Sequence, residues 1–155
     1  MKLVKYLRRG VSYLTRHDQP DGADIQQERE HILTPRSDFY TREAYKALRT
    51  NVAFSLTEEG CRTVLVTSAM ASEGKSITAL NLSISFAEAG ERVMLIDGDL
   101  RRPNLSRLLD LKPSPGMSNV LVKLSSPEEA VRHTKYHGLD VLLSGDIPPN
   151  PSELI

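Results

Sequence analysis

Thr63-Val64-Leu65-Val66-Thr67-Ser68-Ala69-Met70-Ala71-Ser72-Glu73-Gly74-Lys75-Ser76 decides the reading of the fold. Its first five residues are a short β-branched apolar run and predict a buried strand. From Lys75 onward the pattern turns helical, with Ala79, Leu82, Phe86 and Ala89 on one face and Gly90 as the stop. Between strand and helix, Ala69 to Ser76 matches G-x-x-x-x-G-K-[ST] except for alanine in the first place. In this context backbone N–H groups turn inward and a helix start adds its positive dipole end, which suits phosphate. Gly74 keeps a Cβ out of the way, Lys75 supplies a point charge, and the Ser76 hydroxyl suits Mg²⁺.

Outward from this loop the rhythm stays strand and helix. Arg92 to Ile96 predicts a second strand and Leu139 to Leu143 a third, with a short helix at Leu105 to Leu109 and a helix start at Ser126-Pro127-Glu128-Glu129. Ile147-Pro148-Pro149-Asn150-Pro151 stops the last strand. The alternation predicts an α/β domain, a parallel sheet flanked by helices. Upstream, Ser37 or Asp38 opens a helix reaching about Leu56, with Tyr45, Leu48 and Val52 as its apolar stripe. Residues 17–37 read as polar linker, and the domain proper is expected over 37–155.

The second strand ends in Asp97-Gly98-Asp99-Leu100-Arg101. Ligands of open α/β sheets sit at the carboxyl ends of strands, so these carboxylates are expected to face the phosphate loop. Asp97 then has two roles open to it, holding Mg²⁺ or taking a proton from an attacking hydroxyl. Asp99 would share the metal or orient the first carboxylate. Arg101 would neutralise phosphate or pair with Asp99.

The 155 residues hold 39% hydrophobic and 26% charged side chains, enough for one globular core. Twenty basic and twenty acidic groups cancel, and no bulk positive charge asks for nucleic acid. Cys61 is the only cysteine, so no disulfide framework exists; it reads as a small buried hydrophobe beside a strand. Met1 to Arg16 carries Lys2, Lys5, Arg8, Arg9 and Arg16 without an acid, with Leu3, Leu7, Val11 and Leu14 at helical spacing. Such a segment rests on an anionic membrane or a membrane partner, or is a solvated terminal helix. His133 and His137 lack a third ligand and read as a surface pair.

With Leu80-Asn81-Leu82, Leu95 to Pro103, Gly116-Met117-Ser118-Asn119-Val120-Leu121 and Pro148-Pro149-Asn150-Pro151-Ser152-Glu153-Leu154, the phosphate loop resembles the bacterial tyrosine kinases of capsule and exopolysaccharide export. The resemblance covers roughly residues 36–155. It implies a P-loop kinase passing the γ-phosphate of ATP to tyrosines with Mg²⁺, at the cytoplasmic face of the plasma membrane, beside a membrane polysaccharide-export adaptor. It implies an ATP site of Ala69, Met70, Ala71, Ser72, Glu73, Gly74, Lys75, Ser76, Ile77 and Arg101, with Lys75, Asp97 and Asp99 catalytic and Ser76 and Asp97 on the metal. Glu43, Lys46 and Arg49 resemble the family's subunit-contact pattern, with lysine in place of the middle arginine, and imply a ring of kinase subunits. Family members carry a further apolar strand ending in Asp beyond the segment matching Pro151 to Leu154, and a tyrosine cluster. Neither lies within these residues, so an incomplete sheet and the amino-terminal portion of a kinase are expected. Two other readings stay open: a non-catalytic ATP-binding regulator of an export partner, and a partitioning-type ATPase. The latter has a second lysine where Met70 stands.

Overall fold

A computed structural model describes residues 22–56, 60–70 and 72–154, with side chains from residue 25 onward. The basic segment Met1 to Arg16, the helix-ending turn at Thr57 to Glu59, Ala71 and Ile155 lie outside the described residues. The chain forms two units, Met1–Glu30 and His31–Ile155. In the first, Gly22–Glu30 is a helix, α1, where the sequence predicts linker. Gln26, Gln27, Glu28 and Arg29 are good helix formers, and no apolar stripe announces them. Among the described residues no helix is long and apolar enough to cross a membrane.

The second unit starts earlier than composition suggests. Ile32 and Leu33 are buried, although they stand in the stretch predicted as linker. Asn81, itself buried, holds them: its Oδ1 accepts the Leu33 N–H at 2.7 Å and its Nδ2 donates to the His31 carbonyl at 2.8 Å. A side-chain amide thus supplies the partner of one N–H and one C=O in the segment that leads into the folded unit. Helix α2, Phe39–Ser55, then opens on Asp38, whose Oδ1 accepts from Thr41 N at 2.9 Å. Ser37, the other candidate cap, instead accepts from Thr34 N.

Helix α3, Lys75–Glu88, is the central buried helix, with Leu80, Ile84 and Ala87 along its deepest face. The face predicted lies on another side of the helix: Ala79, Leu82 and Phe86 line a cleft instead of a closed sheet, although Leu82 is buried. Beyond it come β1 (Val93–Ile96), α4 (Leu105–Leu109), α5 (Met117–Leu121), α6 (Pro127–Ala130), β2 (Val131–His133) and β3 (Leu139–Leu142). Strand β1 runs parallel to β3 with Val93 opposite Leu139, and β2 lies antiparallel on the other side of β3. The sheet is therefore mixed, in the order β1-β3-β2, where the sequence predicts parallel strands alone. Val131-Arg132-His133 is too short and too polar to read as a strand until β3 is beside it.

The largest departure is at Thr63 to Thr67. Among the described residues this run is in no ladder and makes no backbone–backbone hydrogen bond. Leu65 is 86% exposed, and Cys61 is exposed, where the sequence predicts burial for both. The run lines one side of a cleft of about 1240 Å³, and β1 lines the other. Val93 N donates to the Gly138 carbonyl, just before β3, and Asp97 N to the Leu142 carbonyl, so the alternation of a strand turns the N–H and C=O groups of Met94 and Ile96 away, toward the open edge. A strand-forming sequence acquires ladder bonds only from a neighbour, and neither edge here has one.

In amide hydrogen exchange followed by NMR, Met94 and Ile96 are expected to exchange about a hundredfold faster than Val93 and Asp97, reflecting unpaired against paired N–H groups. Equal protection along β1 would mean that the edge is closed in solution.

Candidate functional site

The phosphate loop is shaped by its own side chains. Ser68 Oγ donates to the Met70 carbonyl at 2.7 Å, and Met70 N donates to Glu73 Oε2 at 3.0 Å. Ser72 and Gly74 both take positive φ, 62° and 82°. A Cβ on Gly74 would meet nothing within 4 Å. Glycine is needed there for its left-handed backbone. Gly74 is the N-cap of α3, with no side-chain cap, and its carbonyl accepts the first helical bond from Thr78 N at 2.9 Å. The N–H groups of Lys75, Ser76 and Ile77 precede that bond, so they have no partner within the helix and remain available to an anion at its positive end.

Asp97 follows β1 directly. The bond from Asp97 N to the Leu142 carbonyl, 2.9 Å, seats it at the carboxyl end of the sheet. Its side chain is buried, 5% exposed. One carboxylate oxygen accepts from Asp99 N at 3.2 Å and the other from Leu105 N at 3.4 Å. Burial raises its pKa to about 6, against the pull of those two N–H groups, and the Asp99 charge adds to the rise. Asp99 spends one oxygen on Arg101 N and Arg102 N, at 3.2 and 2.9 Å, and so fixes the turn it belongs to. The Arg101 guanidinium does not turn back on Asp99: Nη2 donates to Ser152 Oγ at 2.6 Å. Sequence reasoning assigned no role to Ser152 or the Leu105 N–H, although Ser152 stands in one of the segments that carry the family resemblance.

Lys75, Ser76, Asp97, Asp99 and Arg101 line the same cleft. A hydroxyl and a carboxylate are the hard oxygen donors that Mg²⁺ takes, and the loop offers N–H groups and a lysine to phosphate, so the residues present fit both. Among the described residues no group of three His, Cys, Asp or Glu gathers to hold a metal ion. His133 instead pairs with Asp140 across β2 and β3 at 2.6 Å.

The other predicted group divides. Glu43 and Lys46 form an exposed ion pair at 2.7 Å. Arg49 points inward, its Nη1 donating to the Ser85 carbonyl at 2.6 Å and tying α2 to α3. The three are not one free stripe, because the buried carbonyl takes the arginine.

No protein-family model matches the chain. It is 46% identical over 113 residues to the tyrosine-protein kinase YwqD of Bacillus subtilis, covering 73% of this chain and 48% of that protein. It is 36% identical, again over 113 residues, to the putative tyrosine-protein kinase CapB of Staphylococcus aureus, covering 73% and 50%. The BceF tyrosine kinase domain superposes with a TM-score of 0.71 at 34% identity, over 85% of this chain and 54% of that one. The chain thus spans about half the length of the curated relatives it matches.

The raised Asp97 pKa has a sign in stability. Between about pH 4 and pH 6 the unfolded chain ionises Asp97 while the folded chain keeps the proton, so stability is full below that window and is lost as pH rises through it. Asp97→Asn, which gives up one of the two accepted N–H bonds at every pH, is expected to be about 3 kcal/mol more favourable to stability at neutral pH than near pH 4, measured by denaturant titration. An effect of the substitution that is independent of pH would mean that Asp97 titrates normally.

Proposed function

As a member of the bacterial tyrosine kinases of capsule and exopolysaccharide biosynthesis, the chain, we infer, binds MgATP and forms the nucleotide half of a protein-tyrosine kinase. The observation that carries this reading is the opening of the α3 start, with Lys75 and Ser76, into the same cleft as the strand-end carboxylates Asp97 and Asp99.

In this reading the N–H groups at the start of α3 bind phosphate oxygens and Lys75 neutralises the terminal phosphates. Ser76 and Asp97 hold Mg²⁺, which when bound offsets the charge of the phosphates. Asp97 is suited to that task because a cation favours the ionised form that burial disfavours. Asp99 keeps the following turn in place and presents its second oxygen near the acceptor hydroxyl. Transfer breaks the bond between the γ-phosphorus and the oxygen of the departing diphosphate and forms one to the tyrosine oxygen, whose proton passes to a carboxylate at the cleft. Met70 N bonds to Glu73, and no second lysine stands at that place, which favours the kinase reading over a partitioning ATPase. The basic stretch Met1 to Arg16 supports attachment at the inner membrane face, beside a membrane polysaccharide-export partner. The exposed Glu43–Lys46 pair supports contact with other kinase subunits.

The unpaired run Thr63 to Thr67 favours a second reading, a regulator that binds ATP without transferring phosphate. One experiment separates them: γ-labelled ATP and Mg²⁺ with the purified chain and, as acceptor, a full-length kinase of the family inactivated at its own P-loop lysine. We expect nucleotide binding that Lys75→Met weakens about tenfold or more, and label on acceptor tyrosines. Binding without label would establish the regulator. No binding would overturn both.

A further inference from the structure

Ser152 stands far from the phosphate loop in sequence, yet it lines the same cleft as Lys75, Asp97 and Arg101. It lies on a short 3₁₀ turn, Pro151–Glu153, which Asn150 steadies through Glu153. The segment leading to it is pinned at its start. Asn119 Nδ2 donates to Asp146 Oδ2 at 2.8 Å, and Ser118 Oγ donates to the Asp146 carbonyl at 2.6 Å. Three prolines between, Pro148, Pro149 and Pro151, fix φ and stiffen the span. Arg101 is likewise fixed at its root, because its own N–H and that of Arg102 are held by Asp99.

Two rigid mounts thus meet at one contact, Arg101 Nη2 to Ser152 Oγ at 2.6 Å. A free arginine side chain gives up considerable rotamer freedom on closing over an anion, and a fork already held by a neutral acceptor gives up less. A hydroxyl is suited to this, since it takes one N–H without neutralising the charge and leaves the remaining donors of the guanidinium for phosphate.

We propose that Ser152 is a positioning residue for phosphate recognition: it holds the Arg101 guanidinium at the cleft mouth, ready for the outermost phosphate, and so gives the site its preference for a nucleoside triphosphate over a diphosphate. The proposal rests on the nucleotide reading of the cleft. Its specific content is that Ser152 acts only through Arg101, and only on the phosphate that a diphosphate lacks.

The test is calorimetric titration of the full chain with MgATP and MgADP. Ser152→Ala is expected to raise Kd for MgATP about three- to tenfold, the worth of one hydrogen bond, and to leave MgADP within about twofold, since the affected phosphate is absent. Ser152→Thr, which keeps the hydroxyl, is expected to match the unaltered chain. In an Arg101→Ala background, Ser152→Ala should add nothing. Equal weakening of both nucleotides, an unchanged Kd for MgATP, or independent effects of the two substitutions would each overturn the proposal. If the unaltered chain binds neither nucleotide, the reading of the cleft itself fails, and that result is distinct from the other three.

Discussion

Parallel pairing of β1 with β3 is the constraint from which the site follows. The register that sets Ile96 opposite Leu142 carries the next residue, Asp97, to the end of the ladder, where its N–H takes the Leu142 carbonyl. From there the chain can no longer run in the sheet, and the Asp97 carboxylate takes over the work of the ladder. It collects the N–H groups of Asp99 and Leu105, one on each oxygen. The turn that results carries Asp99 and Arg101 into the cleft, and the start of α4 is fixed by the same side chain. One buried carboxylate is at once the end of a strand, the hub of a turn and a candidate ligand. This concentration of roles accounts for its burial and for the rise of its pKa to about 6.

The local parts of this arrangement were legible in the sequence and the long-range parts were not. Gly74 entering α3, Gly90 ending the turn after it, Asp38 as a cap and Asp97 at a strand end are each decided within a few residues by backbone sterics and side-chain reach. Val64-Leu65-Val66 has the composition of a buried strand, but composition does not supply a neighbour, and its Leu65 stands in solvent. The same limit applies to β2, which exists because β3 lies beside it. Arg49 enters the sequence reading only through the subunit-contact pattern it shares with Glu43 and Lys46, and its hydrogen bond to the Ser85 carbonyl, on another helix, has no local signal. Arg101 with Ser152 and Asn119 with Asp146 likewise join residues that no local pattern connects.

The cleft has two kinds of wall, and this explains how a site can be well formed beside an open edge. At its polar end, the phosphate loop, the Asp97 turn and the Ser152 segment are each closed by their own hydrogen bonds. At its apolar end, Val64, Leu65, Met94 and Ile96 face solvent with no such closure. The polar end depends on short-range geometry and therefore forms without the apolar end being filled.

Asn81 has a consequence for where the folded unit can be cut. Its amide satisfies, and is satisfied by, the backbone of His31 and Leu33, upstream of the first helix that the sequence announces. A fragment trimmed to begin at Ser37 would retain every residue of the phosphate loop and both carboxylates. It would also leave that amide stranded in the apolar interior, on the helix whose first turn forms part of the candidate site. The peptide that looks dispensable is the complement of a side chain on the most deeply buried helix. The amino-terminal limit of an autonomous fragment is therefore set by an asparagine amide inside the protein, not by the helix boundary outside it.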